Sequence, residues 1–452
     1  MEEEVLLIAS SSVDAGIGCW DLQTGAERLR YKSCVSPPNG LTCVGPNLIA
    51  SSQTREPRAA SGSILYWSWS KPQVEVKSFP EEAINPLVAN SEGTFLFGGG
   101  VSGNIYLWEV RTGKLLRKWR AHYRAVTCLV LNEDESLLIS GSEDGAVKVW
   151  SLFVIFDDEA REQISYLHVH NFSEHMEGVN DIVSGYGGSN AIIISASKDR
   201  TCKVWSLSRG IMLRSISFPS EIVAVALDPG EHVFYAGGVD GKIYIAALHA
   251  DCSSTKTQWF HVIGSLSSHS KITCLEFGVY GNLLLAGSFD GSIRAWDPVK
   301  RTIVSVFKHA KGPVSNISVV RRPISLHSQT DVNVHSSRRH GSSLPPPLAK
   351  YVSSTDDVAV LNATVRLQDI ECDSLCSSYM SSQVLEDQIK ELQQQSSSAA
   401  SGLEVQRLKI ESSQSAQMLQ KMMKMYERLH EVCVDEILDG ENNGSINQHR
   451  QT

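Results

Sequence analysis

Six tryptophans give this chain its rhythm. Trp20, Trp67, Trp108, Trp150, Trp205 and Trp296 each close a short β-like run. Trp20 and Trp296 are 276 residues apart, or 46 for each of six intervals when one unit between Trp205 and Trp296 lacks its indole. That spacing is close to the roughly 40 to 45 residues of a small four-stranded repeat with a few insertions. Such a unit cannot bury a core alone and stacks on its neighbours, so length does not set the domain count here.

The clearest unit covers 121–152, AHYRAVTCLVLNEDESLLISGSEDGAVKVWSL. It reads as a strand over Val126 to Leu131, a polar turn, a second strand from Leu137, a tight Glu-Asp-Gly turn, and a third strand ending at Trp150. The segments 175–207 and 266–298 repeat this design. Weaker copies cover 84–110, 221–248 (with Ala246 at the Trp position) and 41–69, the last with an insertion over 53–61. With 5–22 the count is seven.

These units resemble WD repeats. The resemblance implies an all-β, seven-bladed propeller over 1–320, with an outer strand after each Trp and a buried His, Ser, Asp and Trp set in each strong blade. The fixed offsets nominate His122, Ser140, Asp144 and Trp150, then His175, Ser195, Asp199 and Trp205. His269, Asp290 and Trp296 follow the same pattern with Ala286 replacing the Ser, and Ser10, Asp14 and Trp20 keep both offsets without a preceding His. The missing His is expected to be His309, carried by a C-terminal strand over 313–320 that completes the blade begun by 5–22 and removes free sheet edges. Because the His, Ser and Asp recur at one offset from a Trp, they read as a structural hydrogen-bond set and not as a catalytic triad.

Other chemistry is expected to be absent. Gly98, Gly100 and Gly103 satisfy G-x-G-x-x-G, but the motif runs into the strand 105–108 where a dinucleotide site needs a helix, so a hairpin turn is expected. Cys372 and Cys376 have no second Cys or His pair at zinc spacing. Cys43, Cys128 and Cys274 each follow a Thr at one repeated strand position and read as core filling in a reducing compartment. No cofactor, metal or catalytic residue is expected. The net charge of −9 argues against direct, sequence-specific nucleic-acid binding, and the paired arginines 321–322 and 338–339 read as solvated charge. Hydrophobic content of 42% suffices for a sizeable core, no apolar run spans a bilayer, and the acidic start Met-Glu-Glu-Glu does not resemble a secretory signal.

Composition changes after Val320. Residues 321–376 read as a Ser/Pro-rich, partly disordered linker, with 356–370 open between a strand and a helix. Residues 377–440 show helical apolar spacing, and Leu408, Leu419, Met422, Tyr426, Leu429 and Cys433 form a stripe that needs a partner, ahead of a disordered tail over 441–452.

Taken with the start VLLIASSSVDAGIGCWDLQTG, the FLFGGGVSGNIYLWEV blade, a long insertion over 153–172 and the helical tail, the chain resembles the WD-repeat subunit of the rixosome-type complex of large ribosomal subunit maturation. The resemblance covers nearly the whole chain. It implies a non-catalytic scaffold in the nucleus, nucleolus and nucleoplasm, bound to a large helical-repeat subunit and a midasin-type AAA ATPase on the pre-60S particle. It also implies indirect contact with pre-rRNA and homodimerisation through the C-terminal helix. Ala246 for Trp and Ser102 for Asp depart from the repeat pattern. A cullin-type ubiquitin-ligase substrate receptor is the alternative, but the Asp-x-Arg ending expected after blade tryptophans is missing.

Overall fold

A computed structural model describes residues 4–12, 15–32, 34–53, 62–157, 168–248, 262–268, 270–309, 312–321 and 344–351. All lie in the first of two units into which the chain divides, Met1–Thr355. The association stripe from Leu408 to Cys433, along with Asp14, His269, Cys372 and Cys376, lies outside the described residues.

Among the described residues twenty-eight strands, β1–β28, form seven four-stranded antiparallel sheets. Blade one combines β28 (Val314–Arg321), β1 (Glu4–Ser10), β2 (Ile17–Asp21) and β3 (Glu27–Tyr31) in that order. Blades two to seven take consecutive quartets: β4–β7 (41–78), β8–β11 (84–120), β12–β15 (126–172), β16–β19 (179–217), β20–β23 (222–267) and β24–β27 (272–308). The first strand of each quartet contacts the first of the next, and β28 contacts both β24 and β4, which completes the circle.

Closure joins the two ends of the ring. β28 pairs antiparallel with β1 from Glu4 opposite Arg321 to Ser10 opposite Val314. The run Val5 to Ala9 is wholly apolar because β1 lies inside a blade and is buried on both faces, so it cannot alternate.

Seven apolar clusters hold the ring, one at each seam between neighbouring blades. Trp67, Trp108, Trp150 and Trp205 are among the largest fully buried side chains, each packing its blade against the adjoining one. At roughly 25 cal/mol per Å² of apolar area, a buried Trp is worth several kcal/mol to its seam.

Two segments differ from expectation. The stretch 153–172 is only partly an insertion: a short helix α1 (Leu152–Phe156) tucks Ile155 into the seam between blades three and four, and β15 (His168–Phe172) is the outer strand of blade four. Within the expected linker, residues 344–351 dock on the ring, with Leu348 buried between blades two and three.

Candidate functional site

Blades four and five contain the buried polar sets in full. In blade four the Trp150 indole donates to Ser140 Oγ at 3.0 Å, Ser140 lies 2.8 Å from His122 Nε2, and His122 Nδ1 lies 3.2 Å from Asp144. Blade five repeats this with Trp205 to Ser195 at 2.9 Å, Ser195 to His175 at 2.8 Å and His175 to Asp199 at 2.9 Å. One proton arrangement satisfies every group: Trp N–H to Ser, Ser O–H to a neutral His Nε2, and His Nδ1–H to the carboxylate.

The electrostatics agree with that arrangement. Burial pushes the His122 pKa down and outweighs the upward pull of Asp144, so the ring stays neutral. Burial raises the Asp144 carboxyl, but the hydrogen bond and charge of His122 and the N–H groups of Ala146 and Tyr123 outweigh it, leaving the acid well below its usual range. A catalytic base would instead be tuned towards neutrality and face a cleft. Here each His is sealed beneath its loop, with His122 and His175 both buried.

The blade-one set does not assemble. Trp20 pairs with Leu6, which places Ile8 opposite Gly18. In blade four the residue opposite the position two before the Trp is Ser140 itself. The first hairpin is therefore two residues longer, and Ser10 occupies the place of Ser142. It behaves accordingly: Ser10 Oγ bonds Pro313 O and Ser12 N, as Ser142 Oγ bonds Arg124 O and Asp144 N. Among the described residues the Trp20 indole nitrogen finds no acceptor. His309 does arrive from the C-terminus, but its Nε2 meets Gly16 O at 3.3 Å.

Blade seven departs as well. Arg294 takes Asp290 at 3.2 Å and also donates to Ser268 and Ser288, while with Ala286 beneath it the Trp296 indole has no acceptor among the described residues. The Gly98, Gly100 and Gly103 motif forms the β9–β10 hairpin between Phe95–Gly100 and Asn104–Glu109, with Gly103 at φ +90.

Several polar residues escape offset counting. Glu82, from the loop before blade three, gathers Ser102, Asn104 and the Tyr106 hydroxyl where an Asp is absent. Blade six keeps Asp240 at the usual offset, six before Ala246, where it accepts the Tyr244 hydroxyl. Ser51 stands opposite Leu65, two before Trp67, but its hydroxyl is engaged by Cys34, Ser36 and Gln53. Tyrosine two residues before the Trp position in 106 and 244 is the one visible hint of this substitution.

The two complete sets also shape the surface above them. Asp144 holds the Tyr123 N–H at 3.0 Å and Asp199 holds the Met176 N–H at 3.1 Å. Each carboxylate thereby fixes the residue that follows its His, and those side chains are 82% and 93% exposed on one face of the ring. The Arg120 guanidinium lies 5.9 Å from the Tyr123 ring centre. Large apolar side chains presented on pinned backbone are suited to binding another protein.

The WD domain, G-beta repeat model matches residues 113–151, 167–206 and 260–297. Protein ROOT INITIATION DEFECTIVE 3 of Arabidopsis thaliana is 52% identical over 439 residues, covering 96% of this chain and 98% of that protein. The chain belongs to the ROOT INITIATION DEFECTIVE 3 family. More distant similarity links this family to WD repeat-containing protein 18 of Homo sapiens, 31% identical over 68% of this chain and 71% of the relative. Pre-rRNA-processing protein crb3/ipi3 of Schizosaccharomyces pombe is 25% identical over 73% and 80%. A match covering 96% of the chain includes most of 352–452, so the plant member of the family shares the segment beyond the ring.

Among the described residues no three His, Cys, Asp or Glu side chains are grouped to hold a metal, and no helix is long and apolar enough to cross a membrane. Cys34, Cys43, Cys128, Cys202 and Cys274 are free thiols.

Proposed function

We propose that this protein is a non-catalytic WD-repeat scaffold in pre-rRNA processing and large ribosomal subunit assembly. The observation that carries this reading is the near full-length 52% identity to ROOT INITIATION DEFECTIVE 3, within a family that reaches a fission-yeast protein named for pre-rRNA processing. The structure supports a binding role: the two complete polar sets, in blades four and five, are buried and self-satisfied, each holds a loop, and above them the large apolar side chains of Tyr123 and Met176 are exposed.

In this reading the ring works in the nucleus and nucleolus. It sits with a large helical-repeat subunit on the pre-60S particle and helps recruit a midasin-type AAA ATPase, touching pre-rRNA only through partners. The stripe of Leu408, Leu419, Met422, Tyr426, Leu429 and Cys433 pairs two copies of the chain, since a helical apolar stripe in water needs a partner. An effect on plant organ initiation follows from ribosome supply to dividing tissue. Affinity purification from nuclear extract followed by mass spectrometry tests the reading. Pre-60S assembly factors are the expected co-purifying set, and cullin adaptor subunits in their place would overturn it.

A further inference from the structure

The seam between blades two and three is built unlike the other six. Blade two ends in the shortest outer strand of the ring, β7 (Val76–Ser78). On the facing blade, Tyr106 lies opposite Gly98, so no hydroxyl sits beneath Trp108 to accept its indole N–H. A short edge and an unserved buried donor leave this seam incomplete at its outer rim. Residues 344–349, Leu-Pro-Pro-Pro-Leu-Ala, fill it.

The fit has an apolar part and a polar part. Leu348, 5% exposed, enters the cluster of Val76, Leu115 and Trp108. Its N–H donates to Ser78 Oγ at 2.9 Å, the Ala349 N–H donates to Gly113 O at 2.7 Å, and the Trp108 indole donates to Ala349 O at 3.0 Å. Gly113 has φ +69, and a Cβ there would come within 2.6 Å of Pro347 O, so the turn is shaped for close approach of this backbone. The other six clusters draw their members from two neighbouring blades and the loops within them; this one draws Leu348 from beyond the last strand.

We propose that this seam is a peptide-binding site for an extended, proline-led segment ending in Leu-Ala, and that the chain occupies it with its own residues 344–349. Three consecutive prolines hold the segment extended before it docks, which lowers the entropy lost on binding. Recognition rests on one leucine pocket and three hydrogen bonds to main-chain atoms of the segment, the usual division of labour for an extended peptide. Twenty-two residues separate Arg321 from Leu344, so the tether keeps the segment at roughly millimolar effective concentration.

Amide hydrogen exchange on the full-length protein tests this. In the wild type the Leu348 and Ala349 amides should exchange at least ~10-fold more slowly than in an unstructured chain, equivalent to about 1.4 kcal/mol of protection, and unchanged on dilution. Leu348→Asp should abolish that protection and speed exchange over 76–78 and 113–115. Trp108→Phe should reduce the protection at 349 while leaving blades four and five unchanged. Adding the synthetic peptide of residues 344–351 to the Leu348→Asp protein at millimolar concentration should restore slow exchange at the seam. Unprotected amides at 348–349 in the wild type would overturn the proposal, as would protection that falls on dilution, which would mean a segment supplied by a second copy. Failure of the free peptide to restore protection would overturn the assignment of a peptide site.

Discussion

Ser140 Oγ accepts the indole N–H of Trp150 at 3.0 Å, and the same strand register puts Ala286 at the equivalent place beneath Trp296. The two blades thus differ in whether a hydroxyl stands beneath the indole, and blade seven also has Arg294 on its carboxylate. Ser140→Ala strands both Trp150 Nε1 and His122 Nε2 in a dry seam, which costs roughly 2–4 kcal/mol. Ala286→Ser supplies the missing acceptor in a nearly isosteric side chain and should stabilise by about 1 kcal/mol. Urea unfolding of the full-length variants measures both, and a stabilising Ser140→Ala would refute the account of the set.

Closure of the ring should be acid-labile through His309. Burial, then the charge of Arg30, pushes its pKa down to about 4 from an ordinary 6.5, against the Gly16 carbonyl and Glu27. The folded state resists protonation, so the unfolded chain binds more protons between pH 4 and 6.5. The contribution is therefore fully present above pH 6.5 and lost as pH falls through that window, by roughly 3 kcal/mol at the low end. His309→Asn should flatten that part of the stability profile. An unchanged slope in the variant would show that His309 remains solvated.

For two buried acids the sign reverses. Burial raises Asp181 to about 7 despite bonds from the Val225 and Ile182 N–H groups, and raises Glu276 to about 8. Both bind protons more tightly when folded, so their contribution is fully present below about pH 4 and is lost as pH rises through about 7 for Asp181 and about 8 for Glu276. Asp181→Asn should lower the loss of stability on going from pH 4 to pH 7. Equal losses in wild type and variant would remove Asp181 from the explanation.

The rim above the two complete sets should matter for binding and not for folding. Tyr123→Ala with Met176→Ala removes two exposed side chains, so unfolding free energy should change by less than about 0.5 kcal/mol each. Recovery of pre-60S factors in affinity purification should fall at least several-fold. Full recovery would place the partner surface elsewhere on the ring.

Deleting residues 403–438 should halve the particle mass measured by light scattering while leaving the thermal unfolding of the ring in place. An unchanged mass would exclude this segment as the dimer contact.

Much of the ring was legible because its signals are local. Tryptophans at a regular interval, Asp-Gly turns and the apolar run 5–9 are set by strand and hairpin chemistry, and they gave seven blades and the pairing of β1 with β28. The polar sets were legible only where hairpin length was constant. Ser10 keeps the offset of Ser140, yet two additional residues in its hairpin move it two residues along the strand, and Ile8 takes the position below the indole. Glu82 was invisible because it reaches Tyr106 from a loop rather than from the repeated strand position.

The sequence alone determined the period and the number of blades, since each depends on residues near one another along the chain, and the half-blade over 5–22 with the leftover strand over 313–320 implied the joining of the two ends. Tertiary structure decided which tryptophans are served by a hydroxyl, which carboxylates hold a loop, and that Leu348 returns to seal the seam beside Trp108. Those outcomes depend on how two blades face each other. A donor and its acceptor 241 residues apart leave no periodic trace in the chain that joins them.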